Sequence, residues 1–405
     1  MRVSSCLLAF FLSACAHQQR FIYNSDGDNM FIYAPPPMSA DAVRAYIDEI
    51  AATQVTTLFI CPQVGMAANY LTQVGDMLGV NVTPVEAKRI QERGATERAS
   101  LERAAMNLAG LAAAGHDPLG LIVERAREKG LEVFVSFRLN EVHAVDKPDD
   151  FPSSLIISRF WRAHPEWRVG TPGDKLPQVY LDILGPNVHP VVASWLPGAL
   201  NFAVPEVRAQ RLAELREVCE RYPVDGLDLD FQRFPIYFRP GTESENVATM
   251  TAWMHEVRAM TRDVARKQDR PLLLSARILA KPEQNLAIGL DPAAWVDEGL
   301  IDFVTVSHYL RNDFRLPIAA YREILPGVPI YASIEVEDKA KPYKLYGTVE
   351  VKDAVDAYRT IARDLWADGA DGILLFNFFT TREGGREPPF GLLRELGSAE
   401  TILKR

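Results

Sequence analysis

Asp225-Gly226-Leu227-Asp228-Leu229-Asp230-Phe231-Gln232-Arg233 is the stretch that decides how this chain folds. An apolar side chain at every second position predicts a strand, with Leu227, Leu229 and Phe231 on one face and Asp228 and Asp230 on the other. In a parallel barrel the apolar face packs on helices, so the two aspartates point inward and Asp230 lies nearer the C-terminal, open end. Ionisable groups in such a place are costly unless paired or used. The strand therefore predicts a barrel with Asp230 in a site at its top, and Asp228 either in that site or buried against an arginine.

Outward from this strand, the chain after residue 20 alternates short β-branched or aromatic runs with longer amphipathic stretches, as repeated βα units do. Eight strands are predicted, at residues 21–25, 56–61, 131–138, 226–231, 271–277, 302–308, 329–335 and 372–377, with helices such as 39–53, 205–222, 243–267 and 349–366 between them. Asp225-Gly226 and Asp371-Gly372 make tight turns into the fourth and eighth strands. The expectation is one (β/α)8 TIM barrel over residues 20–405, and a chain of 405 residues, 48% of them hydrophobic, can fill its core. A doubly wound sheet would carry a Gly-rich phosphate turn after its first strand, where this chain has the acidic Asp26-Gly27-Asp28-Asn29. Long insertions at residues 64–115 and 139–204 follow strands two and three, at the end where barrel loops build the site. The second carries Trp161, Trp167 and Trp195, suited to sugar stacking or to packing beneath the loop.

In the seventh strand, Ile334 and Val336 share one face and Tyr331, Ser333, Glu335 and Glu337 the other, which sets Glu335 across the barrel from Asp230, with Glu337 as its rival. Glycoside hydrolysis needs one carboxylic acid to protonate the leaving oxygen and one carboxylate to attack or to activate water. Asp230 is expected as nucleophile or base and Glu335 as general acid, with Asp228 beside them. The other strand ends supply candidate substrate-binding groups: Asn24, Asp26 and Asp28, then Arg138, Asn140, Glu141 and His143, then Arg233, Arg277, His308, Tyr309 and Asn377. Three arginines suit a uronic, sialic or sulfated sugar, since their forks take carboxylate or sulfate bidentately. The other reading is that Arg138 and Arg277 neutralise Asp228 and its neighbours.

Lys plus Arg is 44 against 53 Asp plus Glu, a net charge of -9 with no basic block, so nucleic acid is not an expected partner. His143 and His308 lack HxH or HExxH spacing, and the acidic run after the first strand lacks the rest of a calcium loop, so no metal or other cofactor is predicted. Cys61 and Cys219 are isolated. Residues 1–15 hold an apolar run ending in Leu12-Ser13-Ala14-Cys15, similar to a bacterial lipobox. Lipidation at Cys15 would tether a lipoprotein in the cell envelope, facing the periplasm or exterior; the alternative is a cytoplasmic chain. Oligomeric state is not legible here.

Tyr23-Asn24-Ser25-Asp26-Gly27-Asp28, Ser136-Phe137-Arg138-Leu139-Asn140-Glu141-Val142-His143, the fourth strand through Phe234-Pro235, and Gly372-Ile373-Leu374-Leu375-Phe376-Asn377 resemble the blocks of family-10-like glycoside hydrolase proteins. These are bacterial barrels, mostly of unassigned substrate, extending toward the endo-fucoidanases that cut sulfated fucans. The resemblance implies a glycosidase of bacterial source and carries no substrate. The fourth strand is also similar to the family-eighteen chitinase pattern Asp-Gly-x-Asp-x-Asp-x-Glu, except that Gln232 replaces the acid. That likeness implies a sugar-binding barrel without catalysis as one alternative; a metal-dependent hydrolase is the other.

Overall fold

The computed structural model describes residues 19–93, 100–186, 188–336, 343–378 and 380–404. The segment expected to be a lipobox, with Cys15, and Glu337 lie outside the described residues. Eight parallel strands close into a barrel: β1 (Arg20–Ser25), β2 (Thr57–Ile60), β3 (Glu132–Arg138), β4 (Gly226–Asp230), β5 (Leu273–Leu279), β6 (Phe303–Ser307), β7 (Ile330–Ile334) and β8 (Gly372–Leu375), with β8 paired to β1. Each is followed by a covering helix: α1 (Ala40–Ala51), α2 (Pro118–Glu128), α3 (Pro205–Arg221), α4 (Val247–Gln268), α5 (Pro292–Asp297), α6 (Ile318–Ile324), α7 (Ala354–Ala367) and α8 (Ala399–Leu403). The (β/α)8 TIM barrel expected from the sequence is the fold observed.

Side-chain alternation splits the core into two layers. Leu227, Leu229 and Phe231 belong to the large cluster between strands and helices, while Ile22, Phe59, Phe134, Phe303, Tyr331, Leu374 and Phe376 fill the barrel interior. Below that plug Arg20 closes the floor, bonding Glu132 through Nε (2.6 Å) and Tyr331 Oη (2.8 Å) and lying 4.8 Å from the Phe303 ring centre.

The αβ junctions work through the aspartate carboxylate as well as through the turn. Asp225 accepts from the Val133 N–H at 2.9 Å, Asp302 from Leu274 at 2.7 Å and Asp371 from Ile330 at 2.7 Å. Each also pairs with an arginine of a neighbouring helix, Arg127, Arg258 or Arg322. The acid thus satisfies a strand-end donor that the ladder leaves open.

Most boundaries shift by a residue or two from the sequence expectation, and three elements show why. β5 begins at Leu273, beyond Pro271, whose missing N–H cannot enter the ladder, and runs on to Leu279, so Arg277 stands within the strand. Residues Val349–Val351 are not helical but pair with Tyr343–Leu345 as a hairpin, and the helix starts only after Asp353, which caps it by accepting from Asp356 N. Glu243 precedes the helix it was expected to open; its carboxylate instead accepts from Tyr180 Oη and Gly241 N. The insertion after β2 holds the helices Pro84–Arg93 and Ser100–Ala113, and the one after β3 holds three short helices, Arg159–Ala163, Gln178–Leu184 and Pro190–Trp195.

Gly226 opens β4 because Phe134 occupies the space beside it: a Cβ there would fall 2.0 Å from the ring. Gly226→Ala is expected to destabilise the fold by about 1–3 kcal/mol through overpacking. In urea unfolding, pairing it with Phe134→Leu should cost less than the sum of the two single changes; strict additivity would show that the two positions do not compete for space.

Candidate active site

Strand register stacks the polar interior in rows. Ser136, Asp228 and Ser275 are successive Cα partners across β3, β4 and β5, and one step higher so are Arg138, Asp230 and Arg277. A Ser-x-Arg strand flanks the Asp-x-Asp strand on each side. The first row is a buried acid between two hydroxyls: Ser136 and Ser275 each donate to Asp228 at 2.7 Å. The sequence expectation of an arginine partner for Asp228 is therefore corrected, because the register places serines level with it and arginines one row up.

In the upper row Arg277, 1% exposed, donates from Nη1 to Asp230 Oδ2 at 2.9 Å and from Nη2 to Glu335 Oε1 at 2.5 Å. Its guanidinium lies 3.9 Å from the Phe376 ring centre, and Ser307 Oγ touches both Arg277 and Glu335. Asp230 Oδ1 further accepts the N–H groups of Gln232 and Arg233 at 3.0 Å, and Glu335 Oε2 accepts Leu310 N at 2.6 Å. Every partner of either carboxylate is a donor. One guanidinium reaching both keeps the two carboxylates within roughly 8 Å of each other, a span that covers retaining pairs at about 5–5.5 Å and part of the inverting range of about 6.5–9.5 Å.

Arg138 serves a second acidic group, donating to Asp26 at 2.5 Å and approaching Glu141 at 3.4 Å. Its backbone N–H is received by Gln63 Oε1 at 3.0 Å. Asp28 lies beside them, and burial together with the Asp26 and Glu383 charges pushes its carboxyl up. Glu383, from the loop after β8, reaches this corner through Asn29 Nδ2 at 2.9 Å. Asn24, 3% exposed, stands level with Phe59 on the interior face of β1.

Glu141 accepts from its own neighbours' N–H groups at 3.0 Å and meets His143 Nδ1 at 2.5 Å. Burial alone would push the Glu141 carboxyl up, but His143, Arg138 and Arg233 hold it well below the usual carboxylate range. His143 Nε2 lies 3.3 Å from Arg233 Nη2, with Trp195 and Phe234 edge-on to its ring at 5.5 and 4.9 Å. Tyr309, 2% exposed, completes this wall, and its hydroxyl has no partner among the described residues. Asn377 sits just past the end of β8 with φ +53°, a left-handed conformation asparagine tolerates, and its Oδ1 has no partner among the described residues.

Two expected site residues are placed otherwise. Asn140 is a staple between loops: its amide donates to Leu200 O and Ile236 O and accepts from Leu200 N at 2.9 Å, leaving no donor for a ligand. His308 follows Ser307, whose hydroxyl is the one turned to Glu335; the imidazole packs edge-on to Phe314 at 4.3 Å, and burial pushes it down to about 4. Of the insertion tryptophans, Trp161 is buried with its indole on Gly198 O, Trp167 stacks on His164 at 3.5 Å, and Trp195 is the one beside His143. Among the described residues no three His, Cys, Asp or Glu side chains converge as a metal site. Reading from sequence alone missed Ser136, Ser275, Ser307, Gln63 and Glu383. Parity along β3, β5 and β6 marks the three serines as inward; Gln63 lies in the two-residue strand Gln63–Val64 and Glu383 in the single 3-10 turn Thr380–Gly384, both too short for a periodicity to point to them.

No family model matches the chain, and no curated protein matches it. Among solved structures, the PgaB (BpsB) glycoside hydrolase domain from Bordetella bronchiseptica is similar at a TM-score of 0.53 and 10% identity, over 94% of this chain and 99% of that one. An α-amylase from Anoxybacillus is similar at 0.49 and 12% identity, over 96% of this chain and 79% of that one. At these identities the likeness is one of fold.

Asp228 provides a test of the row arrangement. Burial, then the Asp230 charge, push its carboxyl up to about 7, against the two serine hydroxyls and Arg277. Its folded-state value lies above the ordinary 3.8, so the stability its proton confers is fully present below about pH 4 and is lost as pH rises through about 7. Asp228→Asn keeps the uncharged form at every pH. Urea unfolding at pH 8 is expected to find it more stable than the wild type by on the order of a few kcal/mol, with the difference shrinking toward pH 4. A variant less stable at pH 8 would contradict the arrangement.

Proposed function

We propose that this chain is a glycoside hydrolase that cleaves an O-glycosidic bond in an acidic glycan, uronic, sialylated or sulfated, with Asp230 and Glu335 as its working pair. The observation that carries the reading is the arrival of these two carboxylates, 105 residues apart in the chain, at one buried guanidinium in the mouth of the barrel. The active sites of such barrels lie at this end. The structural likeness to a glycoside hydrolase domain supports the same class.

Asp230 is assigned as nucleophile or base, because two backbone N–H groups and Arg277 hold it as an acceptor aimed at one place. Glu335 is assigned as the acid, which requires it to exchange its Arg277 contact for a proton when substrate enters. The anionic preference rests on the cationic groups at the strand ends. A carbohydrate-binding barrel without turnover is the second reading, favoured by Gln232 standing where the chitinase pattern has its acid.

The test is a screen of sulfated, uronic and sialylated glycans, each beside a neutral counterpart, for new reducing ends. Asp230→Asn and Glu335→Gln should each lower the rate by roughly 10²–10⁴ while the fold survives. Full activity in either variant overturns the pair, and tight binding without turnover of any glycan favours the second reading.

A further inference from the structure

The three strand-end arginines carry different loads. Arg138 and Arg277 are each spent on two carboxylates. Among the described residues, Arg233 has no carboxylate within ion-pair distance. Its guanidinium stands 4.9 Å from the Phe234 ring centre and 5.9 Å from that of Tyr309, and its Nε is buried without a partner among the described residues. Two more orphaned groups adjoin it in the chain or in space: the Tyr309 hydroxyl and Gln232 Oε1, both on residues 2% exposed.

The contact between Arg233 and His143 has a definite chemistry. A guanidinium donates only, so His143 Nε2 must offer its lone pair, and the ring proton then sits on Nδ1, where Glu141 accepts it. Glu141 is fixed in turn by the Val142 and His143 N–H groups and by Arg138. The groups facing His143 are thus Glu141 with Arg138 behind it, Arg233 and Phe234 beyond β4, and Trp195, whose indole is tied to Asp146 at 2.6 Å. A guanidinium in contact with an imidazole rather than with a carboxylate has no paired counter-charge and can take an incoming anion, whereas the charges of Arg138 and Arg277 are already compensated by carboxylates. Its place is also fixed relative to the working pair, because the backbone N–H of Arg233 itself bonds Asp230 Oδ1 at 3.0 Å.

We propose that Arg233 is the residue that reads the oxyanion of the substrate, a carboxylate or a sulfate ester on a sugar next to the scissile bond, with the Tyr309 hydroxyl as a second donor and Glu141 and His143 as positioning residues. Arg138 and Arg277 then hold the acidic groups in place and do not select substrate. This inference rests on the glycosidase reading and adds which residue sets its charge preference.

The experiment uses the full chain carrying Asp230→Asn to prevent turnover, and measures binding of matched oligosaccharides by calorimetry: a uronic one against its carboxyl-reduced form, and a sulfated one against its desulfated form. The parent should prefer one acidic member, and which pair shows the preference identifies the oxyanion. Adding Arg233→Gln should weaken that member at least tenfold and change the neutral one by less than about twofold, with the melting temperature held because no carboxylate pair is broken. Arg233→Lys should retain part of the preference, Tyr309→Phe should lose a few-fold, and His143→Ala should lose affinity for the acidic member alone. Preference that survives Arg233→Gln overturns the inference, as does a parent that binds both members equally. A parent that binds no glycan overturns the glycosidase reading and this inference with it. Loss of neutral and acidic binding alike in His143→Ala removes the positioning role and leaves His143 as a structural residue.

Discussion

Arg277 lies in the centre of the barrel mouth, 1% exposed, with a carboxylate on each side. Two ionised acids are costly in such a space without a cation, and a buried cation is costly there without acids; removal of one partner from a buried pair costs roughly 3–5 kcal/mol. Much of the interior follows from that constraint. Phe376 covers one face of the guanidinium, Ser307 fills the gap between it and Glu335, and backbone N–H groups take the remaining carboxylate oxygens. The acid one row below, Asp228, is left without the cation and is satisfied by hydroxyls instead.

The same constraint separates scaffolding charge from usable charge. The Arg138 and Arg277 networks are closed, each guanidinium matched by acids whose other oxygens are largely accounted for. The line from Glu141 through His143 to Arg233 is open at its outer end, because the imidazole passes on orientation without neutralising the arginine. A cation of that kind beside orphaned polar atoms is what a site for an anionic ligand needs.

The barrel was legible because alternation in the fourth and seventh strands is strict: Leu227, Leu229 and Phe231 could only face helices, which turned Asp228 and Asp230 inward, and Ile334 did the same for Glu335. The partners of those acids were not legible, since they depend on register between strands that are distant in sequence. Serines level with Asp228 and arginines level with Asp230 follow from a one-row offset that composition does not reveal. Residues just past strand ends were read less well. His308 and Asn140 looked like site residues by position, but parity turned the first toward Phe314 and three backbone groups claimed the second.

The central claim is that substrate is cleaved between Asp230 and Glu335. The most direct measurement is a crystal structure of Asp230→Asn soaked with an acidic oligosaccharide that the wild type cleaves. The account predicts an anomeric carbon within about 3.5 Å of residue 230 and the glycosidic oxygen within hydrogen-bond reach, about 3 Å, of Glu335. A sugar chain ordered elsewhere, as in the groove lined by Gln178, His189, Lys281 and Arg311, with the Arg277 contact to Glu335 undisturbed, would contradict it.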